Sequence, residues 1–157
     1  MKVTVAVLFT ILAFGPAEVG FPQSVRTSAL RAGAAKVDVT PAERDLPKNY
    51  EGILDHLYSR AIVLENGSTS AALVTVDAGG IPDQVWQGVT RQVEKDLGIP
   101  TVNVLLTATH THSVPGQTSA SYVQKIVESV RLAKQRLAPA RVGYGAGVSY
   151  LDRKSVV

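Results

Sequence analysis

The stretch AALVTVDAGGIPDQVWQGVTRQVEKDLGIPTVNVLL, residues 71–106, carries the clearest fold signal in the chain. Its first six residues are apolar or β-branched, which predicts a strand at 71–76 that is covered on both faces. A second apolar run predicts another strand at 102–106. The segment between them is long enough to cross over and bring the two strands side by side in parallel.

The connecting segment has the pattern of an amphipathic helix. Apolar residues recur at every fourth position and form a single stripe, which consists of Val85, Val89, Val93 and Leu97. Asp83 is a candidate N-cap. Gly98 can adopt the left-handed cap conformation and Pro100 cannot continue the helix, so we expect the helix to end there.

The flanking sequence extends the same alternation of strands and helices. On the N-terminal side we predict strands at 31–39 and 57–64, a surface loop at 41–54 between them, and a hairpin turn at 65–68. On the C-terminal side we predict a helix at 121–137 and a last strand at 140–145. The predicted class is therefore α/β, with a mixed, mostly parallel sheet, flanking helices and an incomplete domain.

Composition excludes some classes of protein. The 157 residues carry a net charge of +3, and the Lys and Arg residues are scattered without interleaved aromatics, so we do not expect nucleic-acid binding. The absence of Cys excludes disulfides and thiolate metal sites.

Two histidines follow the predicted strand at 102–106. His110 and His112 stand at positions i and i+2, and would project to the same side if the backbone stays extended. Neutral imidazoles are good zinc ligands, and two of them can share a metal or divide the roles of ligand and supporting partner. The alternative is a pair of loop histidines satisfied by backbone carbonyls. Spacing alone leaves both interpretations open.

Two further polar residues have competing interpretations. Asp77 follows the strand at 71–76 and is either a metal ligand or a supporting partner near the histidines, or a turn aspartate that accepts hydrogen bonds from glycine amides. His56 precedes the strand at 57–64, and we expect it to be a surface or packed residue and not a ligand.

Several stretches of the chain, in order, resemble the N-terminal part of the neutral/alkaline, non-lysosomal ceramidase family. The blocks cover nearly all of residues 32–147, and ordered blocks are far more specific than one short motif. They read AGAAKVDVTP (32–41), DHLYSRAIVL (55–64), ALVTVDAGG (72–80), THTHSVPG (109–116) and PARVGYG (139–145).

The resemblance implies a zinc-dependent hydrolase that cleaves the amide of ceramide to sphingosine and a fatty acid. It implies that His110 is a zinc ligand and that His112 is a catalytic residue beside the metal, with the direct ligand a close choice between the two. The remaining ligands and the catalytic serine of the family come from beyond residue 157. A lipid amide at a membrane surface is the implied substrate. The alternatives are a related secreted metallohydrolase of another N-acyl amide or ester, and a non-catalytic fragment.

The chain ends suggest a domain layout. Lys2, an apolar run and the small residues Gly15-Pro16-Ala17 are typical of a signal peptide at 1–17, which predicts a secreted or periplasmic protein. We expect a linker at 18–29 and a partial ceramidase-like domain at 30–151. Residues 152–157 read DRKSVV, which one frame of a common sequencing adapter also encodes, so we expect this tail not to be native. Because His110 and His112 supply at most half of a four-coordinate zinc site, we expect the chain to be inactive alone.

Overall fold

The computed structural model describes residues 30–148, which form one five-stranded sheet and two helices. The predicted signal peptide (1–17), the linker (18–29) and the tail at 152–157 lie outside the described residues. The elements in chain order are β1 (Arg31–Asp38), β2 (Tyr58–Asn66), β3 (Thr69–Val76), α1 (Asp83–Leu97), β4 (Val104–Ala108), α2 (Ala120–Gln135) and β5 (Ala138–Pro139).

The sheet is mixed, in the order β4-β3-β2-β1-β5, and the α/β class is confirmed. The prediction that it is mostly parallel was wrong, because only the β3–β4 pairing is parallel and the other three pairings are antiparallel. The physical reason is the length of the connections. A short turn at Gly67, which has a positive φ of 61°, joins β2 to β3 as an antiparallel hairpin, whereas α1 crosses over between β3 and β4 and makes that pairing parallel.

α1 follows the predicted stripe closely. Val85, Val89 and Val93 are fully buried, and Gly98 adopts the left-handed conformation with φ 65°, donating its backbone N–H to the carbonyl of Glu94. The start differs by one residue, since Pro82 occupies the N-cap position and Asp83 is the first helical residue. The stripe and the end of the helix were therefore predicted correctly.

Both helices pack on one face of the sheet and leave the other face open. α2 lies across β1, β2 and β3, and α1 packs beside α2. The expectation that β3 is covered on both faces was wrong: Val74 is 1% exposed under the helices, whereas its neighbour Leu73 is 41% exposed on the opposite face. Ile62, Leu73 and Leu105 are aligned by the strand register into an apolar row on that open face.

The close packing of α2 on β1 depends on Gly33. A Cβ atom built at this position would lie 2.0 Å from the backbone oxygen of Ala133, a distance that no side chain can occupy. A buried polar pair lies in the same helix–sheet interface, where the hydroxyl oxygens of Ser59 and Ser129 are 2.9 Å apart. These contacts set how far α2 can approach the sheet.

The end of the described chain departs from the predicted strand at 140–145. The last strand is only the two-residue β5, which pairs with Arg31 and Ala32 of β1, and residues 140–148 form no helix or strand. Proline at position 139 has no backbone N–H to extend the ladder, which is consistent with so short a strand. Across residues 30–148, no helix is both long and apolar enough to cross a membrane.

Candidate functional site

The candidate site lies where the parallel strands β3 and β4 end. Beyond the strands, Thr109 donates its backbone N–H to the carbonyl of Val76 (2.9 Å), and Thr111 donates to the carbonyl of Ala78 (3.1 Å). These bonds tie the start of the segment between β4 and α2, here called the histidine loop (residues 109–119), to the β3–α1 turn. The carboxyl ends of parallel strands are where ligands bind in open α/β sheets.

The structure brings the side chains of His110 and His112 together. Their Nε2 atoms are 3.1 Å apart, and the rings meet edge to face with centroids 4.7 Å apart. The reason given by the sequence pattern was wrong, because the backbone is not extended here: β4 ends at Ala108, and His110 has a left-handed φ of 60°. A turn, and not strand alternation, places both rings on one side.

The two imidazoles fit half of a zinc site. Two nitrogens bound tetrahedrally to one zinc, at about 2.0–2.1 Å each, lie roughly 3.3 Å apart, close to the observed 3.1 Å between the Nε2 atoms of His110 and His112. Both side chains are exposed, so a further ligand could reach them. Within residues 30–148, no group of three or more His, Cys, Asp or Glu side chains is arranged to hold a metal.

Asp77 makes contacts other than those predicted for it. Its Oδ2 atom accepts hydrogen bonds from the backbone N–H of Tyr58 (2.9 Å) and from the guanidinium of Arg60 (2.8 Å). Burial raises the pKa of the nearby Tyr122, and the negative charge of Asp77 raises it further. Asp77 therefore fastens the end of β3 to the start of β2, and its visible contacts are neither with the histidines nor with glycine amides.

His56 has a specific partner that the sequence analysis missed. Its Nδ1 atom lies 2.5 Å from Oδ2 of Asp38, whose Oδ1 accepts the backbone N–H of Thr40 at 2.8 Å. Hydrogen bonding by Thr40 is the largest cause that lowers the pKa of Asp38 to about 2, and His56 adds to it against the opposing effect of desolvation. The Asp-x-Thr pattern at the end of β1 was the available signal, but only the β1–β2 register shows that His56 lies beside it.

A cavity of about 250 Å³ adjoins the histidine loop. One wall comes from the β1–β2 loop (residues 39–57) and the other from the histidine loop, and most of the lining is apolar. The apolar side chains that line it are Pro41, Leu46, Ile53, Leu54, Leu57, Val114 and Pro115, with Tyr50 beside them. Neither His110 nor His112 lines this cavity, but Thr111 and Ser113, on either side of His112 in the chain, do.

Comparison with known proteins places these features in one family. The family profile described as "Neutral/alkaline non-lysosomal ceramidase, N-terminal" matches residues 43–130. The neutral ceramidase of Pseudomonas aeruginosa is 32% identical to this chain, and the match covers 74% of this chain. The chain spans 22% of the length of that relative.

Solved structures agree with the sequence comparison. The crystal structure of neutral ceramidase from Pseudomonas aeruginosa superposes with a TM-score of 0.61 at 28% identity, covering 71% of this chain and 22% of that one. A structure described as ceramidase complexed with C2 superposes with a TM-score of 0.60, with the same identity and coverage. This chain belongs to the neutral/alkaline non-lysosomal ceramidase family.

Proposed function

We propose that this chain forms part of a zinc-dependent amide hydrolase that cleaves ceramide to sphingosine and a fatty acid. The observation that carries the proposal is the 3.1 Å approach of the His110 and His112 Nε2 atoms, at the carboxyl ends of two parallel strands, in a member of the ceramidase family. The family relationship supports hydrolysis of an amide, and the imidazole pair supports a metal.

In this proposal His110 is a zinc ligand and His112 lies beside the metal as a catalytic residue. A bound zinc supplies a Lewis acid that polarises the amide carbonyl and activates water. The backbone bonds of Thr109 to Val76 and of Thr111 to Ala78 hold the His110 backbone between them. The His112 Nε2 atom lies 3.1 Å from the His110 Nε2 atom, so it would stand beside a metal held by His110 and could hold a proton there.

The substrate and the compartment are part of the same proposal. A lipid amide has an apolar body, and the largely apolar cavity beside the histidine loop suits such a molecule. One similar structure is described as complexed with C2, and a lipid substrate is what membership of the family favours. Lys2 and the apolar run after it support export of the protein, so we propose that it acts outside the cytoplasm, at a membrane surface.

The test uses a full-length ceramidase in which this segment replaces the corresponding region. We expect His110→Ala to lose both the zinc and the amidase activity, and His112→Ala to lose most of the activity while it retains more metal. Metal content by mass spectrometry and release of fatty acid from ceramide distinguish the two roles. Full activity and metal content in His110→Ala would overturn the proposal, and cleavage of N-acyl amino acids in preference to ceramide would redirect it to another amide.

A further inference from the structure

The β1–β2 loop begins and ends at two side chains in contact. Asp38 is the last residue of β1, and His56 lies two residues before β2, so their 2.5 Å contact joins the two ends of the loop. The backbone adds further bonds at the same neck. Val39 donates its N–H to the carbonyl of Leu57 (2.8 Å), and Leu57 donates its N–H to the hydroxyl of Thr40 (2.8 Å).

The neck of this loop is bonded directly to the histidine loop. The side-chain amide of Gln117 donates a hydrogen bond to the backbone carbonyl of Val39 at 3.0 Å. Val39 is fully buried, so this bond is in a place where solvent competes poorly for it. Thr40 and Leu57 also line the cavity together with Thr111 and Ser113, so the two loops share a wall as well as a hydrogen bond.

We infer that Asp38 and His56 are positioning residues that hold the β1–β2 loop against the histidine loop and thereby fix the cavity that both loops line. The pair suits this role because one carboxylate makes both contacts. The Oδ1 atom of Asp38 accepts a hydrogen bond from the backbone N–H of Thr40, and its Oδ2 atom contacts the imidazole of His56. Thr40 is next to Val39, the residue that Gln117 contacts. An effect of this positioning on amide hydrolysis rests on the proposed function.

A contact between two exposed side chains contributes little to global stability, and the side chains of His56 and Asp38 are 62% and 44% exposed. The effect of the pair is therefore local. Without it, the ends of the loop (residues 39–57) are held by the Val39–Leu57 backbone bond and the Thr40 hydroxyl contact, and the loop samples more open states that break the bond from Gln117. The cavity wall and residues 111–117 are expected to open together.

Hydrogen–deuterium exchange of the full chain, followed by mass spectrometry, tests the inference. In His56→Ala we expect amides at 49–57 and at 111–117 to exchange roughly two- to fivefold faster, with no change in β3. Asp38→Asn should reproduce the effect. His56→Arg, which offers an N–H donor to Asp38, should keep exchange slow. Asp45→Asn is the matched control, because it removes another carboxylate from the same loop, one whose ion pair with neighbouring Arg44 does not reach the neck.

Unchanged exchange at 111–117 in His56→Ala would overturn the inference, whether or not residues 49–57 change. An equal increase in the amide exchange rate throughout the sheet would also overturn the inference, since it would mean a general loss of stability. The exposed position of His56 makes this variant one that should fold. The measurement needs neither metal nor activity, so it stays informative if the zinc proposal fails.

Discussion

His110 turns into the left-handed backbone region, and that turn brings its Nε2 atom to 3.1 Å from Nε2 of His112. His110 is the only non-glycine residue with a positive φ among residues 30–148. Such a conformation costs about 1–2 kcal/mol relative to the right-handed region for most residues. Residues in sparsely populated backbone regions cluster at functional sites, so this strain is itself a reason to assign function to the histidine loop.

The backbone strain at His110 predicts an unusual order of stabilities. We expect His110→Gly to be more stable than His110→Val by about 1–2 kcal/mol, because a β-branched residue is poorly accommodated at positive φ. Both variants lose the imidazole, so the difference between their unfolding free energies reports the cost of the left-handed backbone at this position. Urea unfolding followed by circular dichroism measures it. The matched pair is His112→Gly and His112→Val, where φ is not positive and glycine should have no such advantage.

The chain by itself should bind zinc weakly. His110 and His112 supply two donors, and no third side chain among residues 30–148 completes the group, whereas a stable zinc site usually has three or four protein ligands. Isothermal titration of the folded chain should therefore show no stoichiometric binding at submicromolar zinc, and no amide hydrolysis should be detectable. Tight stoichiometric binding that persists in a His110→Ala, His112→Ala double variant would reveal ligands elsewhere in the chain.

Gly33→Ala should be strongly destabilising. Its new methyl group would lie within 2.0 Å of the Ala133 carbonyl oxygen, so α2 must move away from β1. Overpacking of this kind costs about 1–3 kcal/mol and sometimes more. Thermal unfolding of Gly33→Ala beside Gly80→Ala measures the effect, because a Cβ at Gly80 meets no atom within 4 Å. Equal stability of the two variants would mean that α2 does not approach β1 as closely as described.

The Asp38 carboxylate should make stability depend on pH in the acid range. Its folded-state pKa of about 2 is below the ordinary value of 3.8, so the stabilisation is complete above about pH 5 and is lost as the pH falls toward 2. We expect the difference in unfolding free energy between the native chain and Asp38→Asn to shrink across that window. Urea titrations at pH 2–6 check this, and a difference that is constant with pH would show that the carboxylate charge is not the cause.

The open sheet face should promote self-association of the isolated chain. Ile62, Leu73 and Leu105 form a row with exposures of 45%, 41% and 56%. We expect Leu73→Thr to reduce aggregation in sedimentation velocity experiments without loss of fold, since Thr is favourable in strands. Val74→Thr is the matched control: it is adjacent but faces the helices, and it should lower the unfolding free energy by about 1–3 kcal/mol.

Patterns that are local in the chain were sufficient for much of this fold. The stripe Val85, Val89 and Val93 and the cap at Gly98 predicted α1, because helix periodicity and chain termination depend on residues only a few positions apart. The two histidines were identified in the same way, from their spacing after an apolar strand. By itself the sequence thus determined the α/β class, the main elements and the loop that holds the candidate site.

Only the tertiary structure decided how distant segments meet. It paired Asp38 with His56 and connected Val39 to Gln117, contacts between residues 18 and 78 positions apart. It also left the Leu73 face of β3 open, which the sequence could not show because an apolar strand has the same composition whether one or both of its faces are covered. The mostly antiparallel sheet depends on pairings between distant strands, which no single segment specifies. The approach of His110 to His112 likewise came from one left-handed residue, since backbone dihedral angles in a loop are set by its anchoring bonds to β3 and not by local composition.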